Sequence, residues 1–135
     1  MIWKTCTNDS ILRQFQYKVN HRIVYLNKRL YQMNIVESPF CFYCTCEEES
    51  IEHLFLECEV VTQFLRNVFD WLVEANLIVS PPEEKSLILC NEGLSDIENM
   101  IFIAVKYHIY VKRMAMEWLR LEGFISILKR IYQYE

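Results

Sequence analysis

Four side chains, Cys41, Cys44, His53 and Cys58, follow one another as C-x2-C-x8-H-x4-C and constrain the fold more than any other feature of the chain. Three thiolates and one imidazole complete a tetrahedral zinc site. With every position filled by protein, no position is left for a water to be activated, so the motif predicts a structural staple and not a reactive centre. A C-x2-C pair closes on one ion across a tight turn, and the second pair must come from the next element. Ser50-Ile51-Glu52-His53 opens an apolar-periodic run, which puts His53 in the first turn of a helix. On an unbroken α-helix His53 and Cys58 point about 140° apart. The pattern therefore predicts that the helix ends or bends near Glu57, so that Cys58 swings back to the metal.

Cys46 lies too close to Cys44 for both to bind one ion without straining the turn, and it reads as a spare thiol. The competing reading of these cysteines is as small buried hydrophobes or disulfide partners. Cys6 and Cys90 have no ligand-type neighbour in sequence and read as core thiols. Metal binding by such a set is coupled to folding, so loss of the ion is expected to unfold at least the zinc segment 41–58.

The chain has 135 residues, 53% of them hydrophobic, and only two glycines. That length suits a single domain over 1–135 with its own core. Scarce Gly and Pro beside many Leu, Ile, Tyr and Phe favour helices. No apolar signal-peptide stretch opens the sequence. No segment reaches the ~18 apolar residues of a membrane span; the nearest, Met100 to Val111, is interrupted by Lys106 and His108. Free cysteines at metal spacing suggest a reducing, intracellular setting, cytoplasm or nucleus. The net charge of −4 is unevenly spread: residues 1–35 carry +5, residues 36–105 carry −12 and residues 106–135 carry +3. The run Glu47-Glu48-Glu49 inside the metal segment reads as a solvated face.

Asn8-Asp9-Ser10 signals a helix start, after which Ile11, Phe15, Val19, Ile23 and Leu26 recur at helical spacing. Asn27 restarts the chain as a short helix from Lys28 to Met33, and Ser38-Pro39 closes the segment. Val61, Phe64, Val68, Trp71, Leu72 and Ala75 predict a helix from about Glu59 to Ala75. Leu87-Ile88-Leu89-Cys90 is too short to distinguish a buried strand from a loop. Ser95-Asp96-Ile97-Glu98 matches a capping box, and the helix it opens is apolar on two sides, which predicts a central position. His108, on that helix, reads as a satisfied core or boundary histidine. A last helix is expected from about Trp118 to Tyr132, within a C-terminal helical part spanning 95–134. The whole predicts an all-α fold, a small bundle of about five helices with one zinc knuckle of CCHC type.

These residues resemble the zinc-binding domain that follows the polymerase in non-LTR (LINE-type) retrotransposon reverse transcriptases. The resemblance lies in Phe15-Gln16-Tyr17-Lys18-Val19-Asn20-His21-Arg22-Ile23, in Asn27-Lys28-Arg29-Leu30, and in the ligand segment with Ile51-Glu52-His53-Leu54-Phe55 and Cys58. Ala104-Val105-Lys106-Tyr107-His108-Ile109-Tyr110 and Gly123-Phe124 resemble the tail of such proteins. Two positions depart from the pattern. Val24-Tyr25-Leu26-Asn27 keeps only the Asn of a common Pro-Thr-Asn turn, and Glu59 stands where a proline often follows the last cysteine.

The resemblance implies an accessory domain that is not itself an enzyme. The chain has no Asp-Asp pair, no P-loop, no G-x-S-x-G and no endonuclease carboxylate cluster. Two functions compete. The domain is expected either to help grip RNA or DNA of the element, or to dock as a zinc-stapled module on the reverse transcriptase polypeptide or another partner. Neither a membrane nor a small-molecule substrate is implied. For nucleic acid the candidate residues are Lys18, Arg22, Lys28 and Arg29 as phosphate contacts, with Tyr25 as a stacking platform. By charge alone, Lys18 and Arg22 are equally explained as the solvated side of a surface helix.

Overall fold

The computed structural model describes residues 6–90 and 93–132. Lys4 and the rest of the N-terminal reading, Glu92, and residues 133–134 of the expected C-terminal part lie outside them. Six α-helices are present among the described residues: α1 (Ser10–Asn20), α2 (Asn27–Gln32), α3 (Glu59–Glu74), α4 (Glu84–Leu89), α5 (Asp96–Met114) and α6 (Leu121–Tyr132). A π-helical turn (His53–Glu57) precedes α3. The all-α expectation holds, with one more helix than the sequence pattern gave.

α5 is the axis of the bundle. Met100, Ile101, Phe102, Ile103, Ala104, Val105 and Ile109 are all buried along it, which is what apolar residues on two sides require. α1 packs on α5 and α4, α6 packs on α5 and α3, and the π turn packs on α3. Ser95 caps α5 by accepting from the Glu98 amide at 3.1 Å, as its motif predicts. Asp9 caps α1 through the Ile11 and Leu12 amides. The segment left open as strand or loop is α4, whose buried Leu87 and Ile88 face the core. Four residues of periodicity were too few to show this. Among the described residues no helix is long and apolar enough to cross a membrane.

Helix ends explain how a chain with two glycines turns so often. Arg22, Asn34, Asn76 and Met116 each adopt a left-handed φ between 56° and 59°. The amides that follow them, of Ile23, Ile35, Leu77 and Glu117, return to carbonyls of Lys18, Leu30, Leu72 and Lys112 at 2.9 Å. These are Schellman closures, normally built on glycine. Asparagine tolerates the conformation well, whereas Arg22 and Met116 hold it at a conformational cost.

His108 and Lys106 are polar groups buried on α5, and the first departs from the sequence reading. His108 lies in the core, as expected, but it is not satisfied: neither ring nitrogen has a hydrogen-bond partner among the described residues. It sits between the rings of Phe64 and Phe124, each 5.9 Å away. Burial pushes its pKa down to about 4, with the Lys112 charge a smaller cause. Lys106 is fully buried on the α1 side of α5, where Nζ donates to Gln16 Oε1 at 2.5 Å and to the Ile88 carbonyl at 2.6 Å. Desolvation lowers its pKa to about 8.

Candidate metal centre

The chain between α2 and α3 folds back on itself before it reaches the ligands. Phe40 and Glu48 form an isolated antiparallel bridge. The amide of Cys41 donates to the Glu47 carbonyl and that of Glu49 to the Pro39 carbonyl, both at 2.8 Å. Within this loop the Thr45 amide donates to the Cys41 carbonyl at 3.0 Å, with Thr45 at a φ of 59°. That tight turn carries Cys41 and Cys44 on one side.

The second pair comes from the π turn. Ser50 opens it, its hydroxyl accepting from the His53 amide at 3.0 Å. The Cys58 amide then donates to the His53 carbonyl at 2.6 Å, an i→i+5 closure. Such a closure brings residue i+5 back over residue i, instead of the wide offset of an α-helix. Cys58 itself is extended and serves as the N-cap position of α3. The bend expected near Glu57 is therefore present, in the form of a π turn.

The four donor atoms of Cys41, Cys44, His53 and Cys58 all lie within 4.8 Å of one another. Cys41 Sγ and Cys58 Sγ are 3.8 Å apart, and Cys44 Sγ is 3.2 Å from His53 Nε2. A zinc tetrahedron with ~2.3 Å sulfur and ~2.05 Å nitrogen bonds has edges of about 3.8 Å and 3.6 Å. The donor set fits the ion, and the first of these edges matches it closely. Cys41, His53 and Cys58 are buried, while Cys44 is partly exposed.

Electrostatics around the sulfurs also suit a cation. Without a metal, the hydrogen bond to Cys58 pushes the Cys41 thiol up, with burial adding to it, and the same bond pulls Cys58 down. Amides of Cys44 and Tyr43 favour the Cys41 thiolate, and those of Val61 and Val60 favour the Cys58 thiolate. Each sulfur thus faces backbone N–H groups, which stabilise the charged form a metal requires. Cys46 is exposed, donates to the Cys44 carbonyl and stays outside the cluster, as a spare thiol should.

One functional group was hidden in the sequence. Glu49, read as part of a solvated acidic run, is fully buried. Its carboxylate accepts from the Asn27 amide at 3.0 Å and the Phe42 amide at 3.1 Å. The single Nε–H of Arg113 reaches both of its oxygens, at 2.9 and 2.8 Å. Arg113 Nη2 donates to Asn27 Oδ1 at 2.8 Å, and Asn27 Nδ2 donates to the Phe40 carbonyl at 2.8 Å. This network ties the start of α2, the metal loop and the end of α5 into one unit. Asn27, retained from the Pro-Thr-Asn turn, was the only sequence signal for it.

The candidate nucleic-acid residues lie on the α1–α2 side and are not equivalent. Lys18 is exposed and makes no ion pair among the described residues. Arg22 pairs with Glu52, and Lys28 lies 3.8 Å from Glu48. Arg29 holds its guanidinium 5.4 Å from the centre of the exposed Tyr25 ring and donates to the Arg22 carbonyl at 3.0 Å. Acids of the metal segment thus offset two of the four cations.

The family described as zinc-binding in reverse transcriptase matches the chain over residues 1–64. That span is just under half of the chain and holds all four candidate ligands. It bears out the resemblance drawn from the α1 and α2 motifs and the ligand segment; the tail motifs at 104–110 and 123–124 lie beyond it. Neither the curated proteins nor the solved structures contain a match to the chain.

Proposed function

We propose that this chain is a non-catalytic accessory domain of a retrotransposon reverse transcriptase, in which Cys41, Cys44, His53 and Cys58 hold one Zn2+ and the α1–α2 side assists in binding RNA or DNA of the element. The observation that carries the metal half is the convergence of four donors from a tight turn and a π turn. It is supported by the family match across the same residues. Bound there, zinc supplies a cross-link between two stretches of backbone. The residues around it supply the rest: Glu49 and Asn27 fix the loop, and backbone amides at Cys41 and Cys58 favour the charged form of each sulfur. Cysteines at metal-ligand spacing support work inside a reducing compartment.

Metal analysis of the purified protein tests this reading. One zinc per chain is expected, with loss of most of it in Cys41→Ser and His53→Ala. Full zinc content in both variants would refute the ligand assignment. Nucleic-acid contact through Lys18, Arg22, Lys28 and Arg29 predicts affinity that falls steeply with salt, whereas a flat salt profile would oppose it.

A second reading, docking on the polymerase or another protein, is favoured by one observation. Met116 is 71% exposed and Trp118 is 68% exposed beside the metal loop, with the Trp118 ring 6.2 Å from Tyr43. Large apolar side chains left in solvent beside a rigid loop suit a protein partner. Trp118→Ser should then weaken association with the polymerase polypeptide and leave oligonucleotide binding unchanged.

A further inference from the structure

Three concavities follow one another across the α1 side of the molecule through shared walls. The first is lined by Arg22, Lys28 and Arg29, with Val24 at its edge, and also holds Glu52, the partner of Arg22. Val24 also lines the second, a cavity of about 190 Å³ between α1 and α5. Its walls are Tyr25, Tyr107 and Tyr110, its floor includes Phe15, and Gln14 and Lys18 stand at it. Phe15 packs against Tyr107 and Tyr110, with ring centres 5.3 and 5.5 Å away. Gln14, Lys18 and Ile23 continue into the third, which adds Arg13 and Tyr17. Tyr25 joins the first two: Arg29 lies over its ring while the ring lines the second cavity.

Cations and aromatic rings therefore alternate along one surface. That is the chemistry of an unpaired polynucleotide, whose phosphates and base faces alternate in the same way. A duplex buries its base faces and offers nothing to Tyr25, Tyr107 and Tyr110. Residues 36–105 carry −12 and meet this side at the first concavity, where Glu52 is paired with Arg22. Only the first of the three concavities has residues of that stretch in its lining, so a narrow single strand on the α1 surface meets few of its acids.

We propose that the three concavities form a track for single-stranded RNA or DNA, with a base held among Tyr25, Tyr107 and Tyr110 and flanking phosphates at Lys18 and at Arg29. The proposal rests on the nucleic-acid reading above and narrows it to one strand and one surface. Its test is fluorescence anisotropy on the full zinc-loaded chain. The probes are oligo(U) and oligo(dT) of about a dozen nucleotides, within the usual site sizes, and a duplex of equal length. At least tenfold tighter binding of a single strand is expected. Tyr25→Ala should weaken it by roughly 5- to 100-fold and Tyr25→Phe by little, because the ring and not the hydroxyl stacks. Lys18→Ala should lower the slope of log affinity against log salt by about 0.7. Tyr25 and Lys18 are exposed, so both variants should melt like the parent.

Duplex binding as tight as single-strand binding would overturn the track and leave the broader reading standing. So would single-strand binding untouched by Tyr25→Ala. Failure of all three probes to bind at low salt would remove both. Preference for oligo(U) over oligo(dT), or the reverse, supports the track and names its ligand.

Discussion

Arg113→Met should uncouple the metal loop from the end of α5. Arg113 is 6% exposed and Glu49 is 0% exposed, so the pair is sealed from water. The substitution removes the bifurcated Nε contact to the carboxylate and the Nη2 bond to Asn27. It leaves a buried carboxylate held by only two amide donors, those of Asn27 and Phe42. Removing one partner of a buried ion pair costs about 3–5 kcal/mol, most of it from the stranded charge. A domain of this size has about 5–15 kcal/mol in total, so the variant should sit near the edge of stability. Denaturant unfolding of the zinc-loaded protein at neutral pH should show the midpoint falling with an unchanged slope. Glu49→Gln/Arg113→Met should recover part of the loss, since no charge is then stranded. Because Glu49 anchors the loop that carries Cys41, zinc affinity of Arg113→Met should fall as well. A change of less than ~1 kcal/mol in the single variant would refute the reasoning, because a surface-like pair would cost no more than that.

Three further perturbations follow from the core. His108 has its pKa lowered to about 4, so its neutral form is favoured in the native state and the unfolded chain takes up a proton first as pH falls. Its contribution is complete above pH ~6.5 and drains away toward pH 4, about 2 kcal/mol between pH 7 and 4.5. His108→Leu should remove that acid loss, read as the difference between variant and parent in unfolding at the two pH values. Lys106 is the same case moved to the alkaline side. With its pKa lowered to about 8, the unfolded chain holds the extra proton between pH 8 and ~10.5, so stability rises with pH through that window. The gain between pH 7 and 9.5 is about 2 kcal/mol and should vanish in Lys106→Met. Gly123 lies inside α6, where a Cβ would meet His108 at 3.6 Å, an ordinary contact. Gly123→Ala should raise stability by up to ~1 kcal/mol through helix propensity, measurable as a higher melting temperature.

What the sequence revealed depended on range. Ligand spacing, the Ser95 capping box and the stripes on α3 and α5 are local, and the structure carries each of them. The Cys58 bend was legible because helical geometry forbids the alternative, although the π turn that performs it leaves no residue signature. α4 was missed because Leu87-Ile88-Leu89-Cys90 is too short for periodicity to separate strand from helix. Glu49 was misread for a different reason. Its neighbours Glu47 and Glu48 are exposed, and only Arg113, 64 positions away, decides that the third acid of the run is internal. Lys106 and Gln16, 90 positions apart, pair in the same way. Helix stops at Arg22 and Met116 were hidden because neither is a residue that left-handed turns favour.

The most direct test of the account is zinc-edge X-ray absorption on the purified protein. One equivalent of zinc with three sulfurs near 2.3 Å and one nitrogen near 2.05 Å is predicted, from Cys41, Cys44, Cys58 and His53. A first shell of oxygen and nitrogen alone, or a folded chain that carries no zinc, would contradict it.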